Sequence, residues 1–517
     1  MTAPGSARWR QLLHREKQRL LIALICGMVS MEFLENGMFV FAASHILGAI
    51  GAAPQEFALA QMAYAVGNML MVALQQWMTR HFGYRHYLLI ALLLFGLGDV
   101  GCALATNLPE LVAARMLEGL GGGAFFLSTR VLIPLLFAPA LRPLASRRFL
   151  LSIFAVGMVA PVLSATLVEG WGWQWVFWIV LPVAVLLAAG VYRLMPRHLG
   201  KSAQPVRWSL VPIVWFLLAV GSVQWAFSEA RYELFDRPEQ LALAILAGAT
   251  LLGLFSLHQW RHDEPLLHLR DLTNPAFLAG LGLYAAYYFI VNLSNYLFPQ
   301  YAQQGLGIPV VTTGWLNSFA GAVTFAAVLV YTRYAARVAN KRLLMMAGCL
   351  CMAAAAWWMA SLPPDAPLSA LYGALAIKGL FGVLMILPVA ALTWRALDAD
   401  HFAKGYQTKN VLRQMMVSLA SAVGAVALQN GRVAQYGELA SRINPGNPAA
   451  TQWLDTAQRH FEQLGLTAAQ AHQAAMAQLA SLVSTQAVFA ASQQLYRWVA
   501  VIAVAAAVVV AVQKRLR

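Results

Sequence analysis

A chain of 517 residues that is 60% hydrophobic and only 11% charged, with mean hydropathy +0.62, falls outside the soluble globular class, where about a quarter of residues are charged. Its apolar runs are long and continuous rather than alternating with period two, which excludes a β-barrel and predicts an all-α integral membrane protein. The net charge of +15 does not point to nucleic acid, because the basic residues lie mostly in short segments between apolar runs, where membrane topology explains them.

The first apolar run, Leu20 to about Leu47, follows a basic segment (Arg8, Arg10, Arg15, Lys17, Arg19). It is too long for a signal peptide and carries two acids, so it reads as a retained first helix. Those acids are Glu32 and Glu35. An ionised carboxylate at mid-bilayer costs roughly 2.5–3.5 kcal/mol on insertion scales, and residues three apart share a helical face. A pair kept there points to binding of protons, ions or a cationic substrate; pairing with a basic residue for assembly alone is the alternative.

Counting onward gives fourteen spans, near 20–45, 57–78, 87–106, 109–131, 148–168, 174–193, 209–227, 240–259, 276–298, 312–332, 342–362, 367–392, 410–429 and 496–513. Alternate connecting segments are basic: Arg80 and Arg85; Arg142, Arg147 and Arg148; Arg193, Arg197, Lys201 and Arg207; Arg261 and Arg270; Arg333, Arg337, Lys341 and Arg342; Arg395, Lys404, Lys409 and Arg413; and Lys514, Arg515 and Arg517. The others are mostly neutral or acidic, around Glu56, Glu110, Glu169, Glu229 to Glu239, Gln300 to Gln304, and Asp365. The alternation places both termini in the cytoplasm. One long extracytoplasmic segment, 430–494, has a turn cluster at Asn444–Pro448 and two amphipathic helical patterns near 449–463 and 468–490, with Thr467 as a cap for the second. A solvated helical hairpin and a docking or gating element both fit it.

An internal repeat divides the chain. Phe33-Leu34-Glu35-Asn36 resembles Phe289-Ile290-Val291-Asn292, with offset 289 − 33 = 256, and the same offset carries Gly51 to Gly307. Arg80–Arg85 resembles Arg337–Arg342, and Arg115 has a basic counterpart in Lys378 at offset 378 − 115 = 263. This predicts a cytoplasmic tail 1–19, a six-helix bundle 20–193, a linker with two inserted helices 194–275, and a second six-helix bundle 276–517 that includes the loop 430–494. Duplicated bundles are typical of secondary transporters, with binding near the midplane between the halves.

The first half carries Glu32, Glu35, Asp99, Arg115 and Glu118 within spans, and acid–base work belongs there. Arg115 and Glu118 share a face and precede Gly119, Gly121, Gly122 and Gly123, residues that let helices approach and slide. Arg115 stays charged, holds a neighbouring carboxylate ionised, and loses that partner on protonation; a static Arg115–Glu118 pair is the structural alternative. Asp99, between Gly98 and Gly101, reads as structural or interfacial. Two readings fit Lys378, an anion-binding group or a snorkelling residue. Phe39, Tyr64, Tyr288, Asn292, Asn295 and Tyr296, with Lys378, are candidates for a substrate vestibule. Gly200-Lys201-Ser202 lacks the upstream glycine of a phosphate loop, since Met195 stands in its place. Cys26, Cys102, Cys349 and Cys351 form no metal or disulfide pattern. No cofactor or metal is expected, and energy comes from an ion gradient.

At this point the chain resembles the major facilitator superfamily over almost its whole length, specifically the fourteen-helix drug:proton antiporter group of the EmrB/QacA type. Leu34-Glu35 meets that group's Leu-Asp, and Ala114 to Gly123 meets its Arg followed by spaced glycines. Gly157 to Leu163 matches part of its antiporter motif, and Trp173 to Trp178 and Leu412-Arg413-Gln414 are also familiar. Between spans two and three the pattern is eroded: Gln76, Arg80, His81, Gly83 and Tyr84 stand where Gly, Asp-Arg and Gly-Arg are usual. In the fifth span Ser164-Ala165 replaces a Gly pair, and Gln494 replaces an Asp before the last span.

The resemblance implies a major-facilitator-type fold with fourteen transmembrane helices in the inner membrane. It implies a gate at Arg80, Gly83, Arg85, Gly157 and Pro161, and proton coupling through Glu35, Glu32, Glu118 and Arg115. The activity implied is proton-coupled antiport of amphipathic small molecules or drugs, not an enzymatic reaction. A periplasmic adaptor and outer-membrane channel are the implied partners. A dedicated exporter of one metabolite, such as a siderophore or fatty acid, is the alternative. A non-transporting scaffold or sensor is a third reading, from another class.

Overall fold

The computed structural model describes residues 4–53, 56–202, 211–236, 238–261, 265, 267, 269–334, 340–395, 397, 399–444 and 446–513. The predicted features at Arg207, Arg237, Arg337 to Ala339, Pro445 and Lys514 to Arg517 lie outside them. The helices run α1 Pro4–Ala49, α2 Phe57–Leu104, α3 Leu108–Leu136, α4 Arg142–Gly170, α5 Trp175–Trp178, α6 Val180–Leu194, α7 Val211–Asp236 and α8 Pro238–Arg261. A short 3₁₀ turn, Leu269–Leu272, leads to α9 Pro275–Pro299, which ends in a π-helical turn, Gln300–Gly305. Then follow α10 Val310–Tyr334, α11 Lys341–Ser361, α12 Leu368–Trp394, α13 Ala399–Ser441, α14 Pro448–Gln463 and α15 Ala468–Val512.

Helix starts carry their own signals. Asn107 caps α3 by accepting the Glu110 amide, and Asn274 caps α9 just before Pro275. Thr467 and Gln470 form a reciprocal capping box at the start of α15.

Twelve described helices are long and apolar enough to cross a membrane. The fourteen predicted spans map onto them as follows. α2 is 48 residues long, about 72 Å at 1.5 Å per residue, more than twice a bilayer core of about 30 Å. It holds the second and third spans, because Gly83, at φ 80° and ψ 160°, turns the chain back on itself. The Tyr87 hydroxyl donates to the Met71 carbonyl at 3.3 Å, which places the two arms side by side. The seventh span is the apolar stretch Val211–Ala226, shorter than the other twelve.

Three expectations change. The acidic segment from Glu229, read as an outer loop, begins inside α7, which continues to Asp236. The loop 430–494 is mostly continuous helix: α13 runs on to Ser441, and the second amphipathic pattern joins the last span as one 45-residue helix. The stretch containing Lys404, Lys409 and Arg413, read as a basic loop, is the first part of α13, and Lys409 and Arg413 are buried there. Its polar side chains face other helices instead of water, so hydropathy alone misplaces it.

One apolar core is built mainly from α1 to α6, with residues of α7 and α8, and a second from α9 to α13 and α15. The halves meet where α4 lies against α10 and α2 against α13. Gln407 Nε2 donates to the carbonyls of Val72 and Ala73, both at 3.0 Å. The Val162 amide donates to Ser318 Oγ at 3.0 Å. The repeat is visible in backbone detail, since Gly51 and Gly307 both take positive φ, 69° and 67°.

Candidate functional site

Glycine packing between α2 and α3 creates the first part of the site. A Cβ at Gly119 would stand 2.2 Å from the Tyr64 carbonyl oxygen, and one at Gly98 would stand 2.4 Å from the Glu118 nitrogen. Only glycine permits such close backbone approach. It presses Arg115 and Glu118 of α3 against both arms of α2, with α1 closing the remaining side. Arg115 Nη1 donates to Glu35 Oε1 and to both Glu118 oxygens, each at 2.8 Å. Its guanidinium also lies 4.0 Å from the Phe39 ring centroid and 4.4 Å from that of Tyr64. Arg115, Glu35 and Glu118 are all 0% exposed.

Asp99, which reads from the sequence as structural or interfacial, joins this cluster. Carboxylate oxygens of Glu35, Asp99 and Glu118 lie within 4.8 Å of one another. Neither Asp99 oxygen has a hydrogen-bond partner among the described residues. These three groups have cation-ligating spacing, and the positive charge in contact with two of them is Arg115 Nη1.

The second part is a central cavity of about 340 Å³, at the lower end of the usual range for small-molecule sites. Of the residues read from the sequence as a vestibule, Tyr288, Asn292, Asn295, Tyr296 and Lys378 line it, and so do Glu32, Gly157 and Pro161, read there as a proton-coupling and two gate residues. Phe39, Tyr64, Glu35, Glu118 and Arg115 are not among its lining residues; they form the sealed cluster beside it. Gln61 joins the two, because its Oε1 accepts from Arg115 Nη2 at 3.2 Å and its side chain also lines the cavity.

Glu32 spans the halves. Its Oε1 accepts from Arg413 Nη2 at 3.4 Å, and from Asn68 Nδ2 and the Tyr64 hydroxyl, both at 3.5 Å. Arg413 belongs to α13, so this buried ion pair joins the first bundle to the second. From the sequence Arg413 reads only as a loop cation and a familiar motif residue; in the structure it stands on α13 four residues before Val417 and eight before Ser421, which line the same cavity.

Beyond Arg413, toward the starts of α1, α9 and α13, cations alternate with rings. Arg413 Cζ lies 4.9 Å from the Phe126 centroid. Lys409 Nζ lies 4.6 Å from Phe126 and 4.5 Å from Tyr406. Arg130 Cζ lies 5.6 Å from Tyr406. Phe126 stacks on Tyr406 at 5.7 Å, and Tyr406 meets Trp394 at 5.1 Å. This aromatic layer ties α3 of the first half to α12 and α13 of the second.

The expected gate residues divide into two groups. Gly157 and Pro161 lie between the halves: a Cβ at Gly321 would be 2.5 Å from the Gly157 oxygen, and one at Gly314 would be 3.0 Å from that of Pro161. Arg80, Gly83 and Arg85 lie against the end of α6 and the start of the stretch that follows it. The Arg80 carbonyl accepts from the Ser202 amide at 2.8 Å, the Tyr84 amide donates to Leu199 at 2.9 Å, and Arg85 stacks 4.4 Å over Tyr192.

Two helical bundles around a central cavity, with buried ionisable groups beside it, define a multi-pass membrane transporter. The chain belongs to the Major Facilitator Superfamily, whose match covers residues 24–425. It is 22% identical over 429 residues to the uncharacterized MFS-type transporter YhcA of Bacillus subtilis, covering 83% of this chain and 80% of that one. It is 19% identical over 442 residues to the multidrug export protein EmrB of Escherichia coli, covering 85% of each. The POT family transporter PepTSo shares the fold at TM-score 0.59 and 13% identity, over 95% of this chain and 96% of that one.

Proposed function

We propose that this protein is a proton-coupled antiporter that exports amphipathic small molecules by alternating access and catalyses no reaction. The observation that carries this reading is the charge imbalance around Arg115, where one guanidinium faces Glu35 and Glu118 with Asp99 alongside, all buried. One cation balances one carboxylate. The others need a bound proton or a new partner, because an unpaired buried charge is costly. Protonation of Glu35 from outside frees Arg115 to settle on Glu118 and Gln61, and Gln61 carries the change to the cavity wall. Glu32 then exchanges Arg413 for a proton, and the two halves part at that contact.

Gly157 and Pro161 serve as the sliding surface between halves, while Arg80, Gly83 and Arg85 tie the bend of α2 to the end of α6 and the start of the linker. Residues 20–193 and 276–517 move as bodies, with 194–275 as the linker. An inner-membrane location, cytoplasmic termini, and a periplasmic adaptor with an outer-membrane channel belong to the same reading. The likeness to EmrB, named a multidrug export protein, supports export. A dedicated exporter of one metabolite would use the same machinery, and the uncompensated Lys378 favours an anionic cargo for it.

The test is flux in proteoliposomes with cationic, neutral and anionic dyes, with and without an uncoupler. Export of at least one dye that collapses on uncoupling is expected. Flux indifferent to the proton gradient contradicts the reading.

A further inference from the structure

Lys378 is 9% exposed and lines the central cavity. Its Nζ has no hydrogen-bond partner among the described residues and lies 5.6 Å from the Phe298 centroid. The internal repeat shows why it is unpartnered. By the offset of 263 Lys378 is the counterpart of Arg115, whose two carboxylate partners are Glu35 and Glu118. The offset of 256 carries Glu35 to Val291, and 118 + 263 = 381 carries Glu118 to Phe381. Val291 and Phe381 both line the cavity. The second half therefore keeps the cation and replaces both counter-charges with apolar walls.

Among the described lining residues the only acid is Glu32, which is already paired with Arg413. The cavity thus holds one cation in excess, set among aromatic, aliphatic and neutral polar side chains such as Asn292 and Asn295. A largely apolar cavity with a single uncompensated charge selects the opposite charge on an apolar body.

We propose that the central cavity binds amphipathic organic anions, with Lys378 Nζ as the counter-charge to a carboxylate or sulfonate and Tyr287, Tyr288 and Phe381 as the wall for the apolar body. This rests on the transport reading, since it names the cargo of that same cavity.

The test uses the full chain in nanodiscs and three ligands sharing one ring system: 1-naphthaleneacetate, 1-naphthaleneethanol and 1-naphthylethylamine. Calorimetry is expected to give the acetate an affinity at least about tenfold above the other two. Lys378→Gln lowers acetate affinity about tenfold and leaves the alcohol unchanged, while Lys378→Arg retains acetate binding. Val291→Glu supplies the missing carboxylate and also removes acetate binding. Equal affinities, preference for the amine, binding by none of the three, or acetate binding indifferent to Lys378→Gln overturns the proposal. Proteoliposome flux separates the two readings: acetate bound through Lys378 but never moved by a pH gradient sinks export and keeps the anion site, whereas gradient-driven movement of the amine without acetate binding does the reverse.

Discussion

Replacing Arg115 by alanine strands Glu35, Glu118 and Asp99 together in a dry space. Removing one partner of a buried ion pair costs about 3–5 kcal/mol. Arg115→Ala is therefore expected to lower the unfolding temperature in detergent clearly and to abolish efflux; wild-type efflux in cells carrying it counts against the switch. Glu35→Gln differs, because the amide keeps the size and still accepts from Arg115. It is expected to stay folded, with the elution profile and melting of the parent, while losing proton-driven flux. Glu32, Glu35, Arg115 and Glu118 are legible in the sequence because a charge inside an apolar run is anomalous on its own terms. Asp99 carries the same anomaly, yet its partners come from α1 and α3, and no local pattern places it beside them.

At the scale of the helices, the hairpin within α2 depends on Gly83. At φ 80° and ψ 160°, a region that glycine alone occupies readily, any side chain there is strained, by about 1–3 kcal/mol. Gly83→Ala is expected to lower stability by that amount with little effect on ligand affinity, since the bend contacts Leu199 and Tyr192 far from the cavity lining. Gly98→Leu is a stronger insult: its Cβ alone would meet the Glu118 nitrogen at 2.4 Å. It is expected to part α2 from α3, costing at least about 1–3 kcal/mol, and to remove flux because Glu118 and Asp99 separate. A Gly98→Leu protein with full activity would refute the close-packing account. Apolar periodicity fixes the existence of the spans. The burial of Lys409 and Arg413 does not follow from it, because the first turns of α13 are polar and their burial depends on α2 and α9 lying against them. The continuity of α13 and α15 past the membrane thickness escapes a hydropathy reading for a related reason, since amphipathic helix and apolar helix join without a break.

For the whole molecule, the halves are joined by Glu32–Arg413, by Gln407 on the carbonyls of Val72 and Ala73, and by the aromatic layer of Phe126, Tyr406 and Trp394. Alternating access requires the second of these contacts to open in each cycle. Cysteines at Ala73 and Gln407, bridged by a short bifunctional thiol reagent, are expected to stop flux, and a reducible reagent followed by reductant restores it. Undiminished flux through the bridged protein contradicts rocking at that contact. The most direct measurement follows protons and cargo together: vesicles holding the purified protein and an internal pH dye are given a transported substrate with no imposed gradient. The account predicts that substrate movement drives protons the opposite way, and that Glu35→Gln abolishes the proton signal. Substrate movement with no accompanying proton signal in the parent protein, or a signal unchanged in Glu35→Gln, contradicts it.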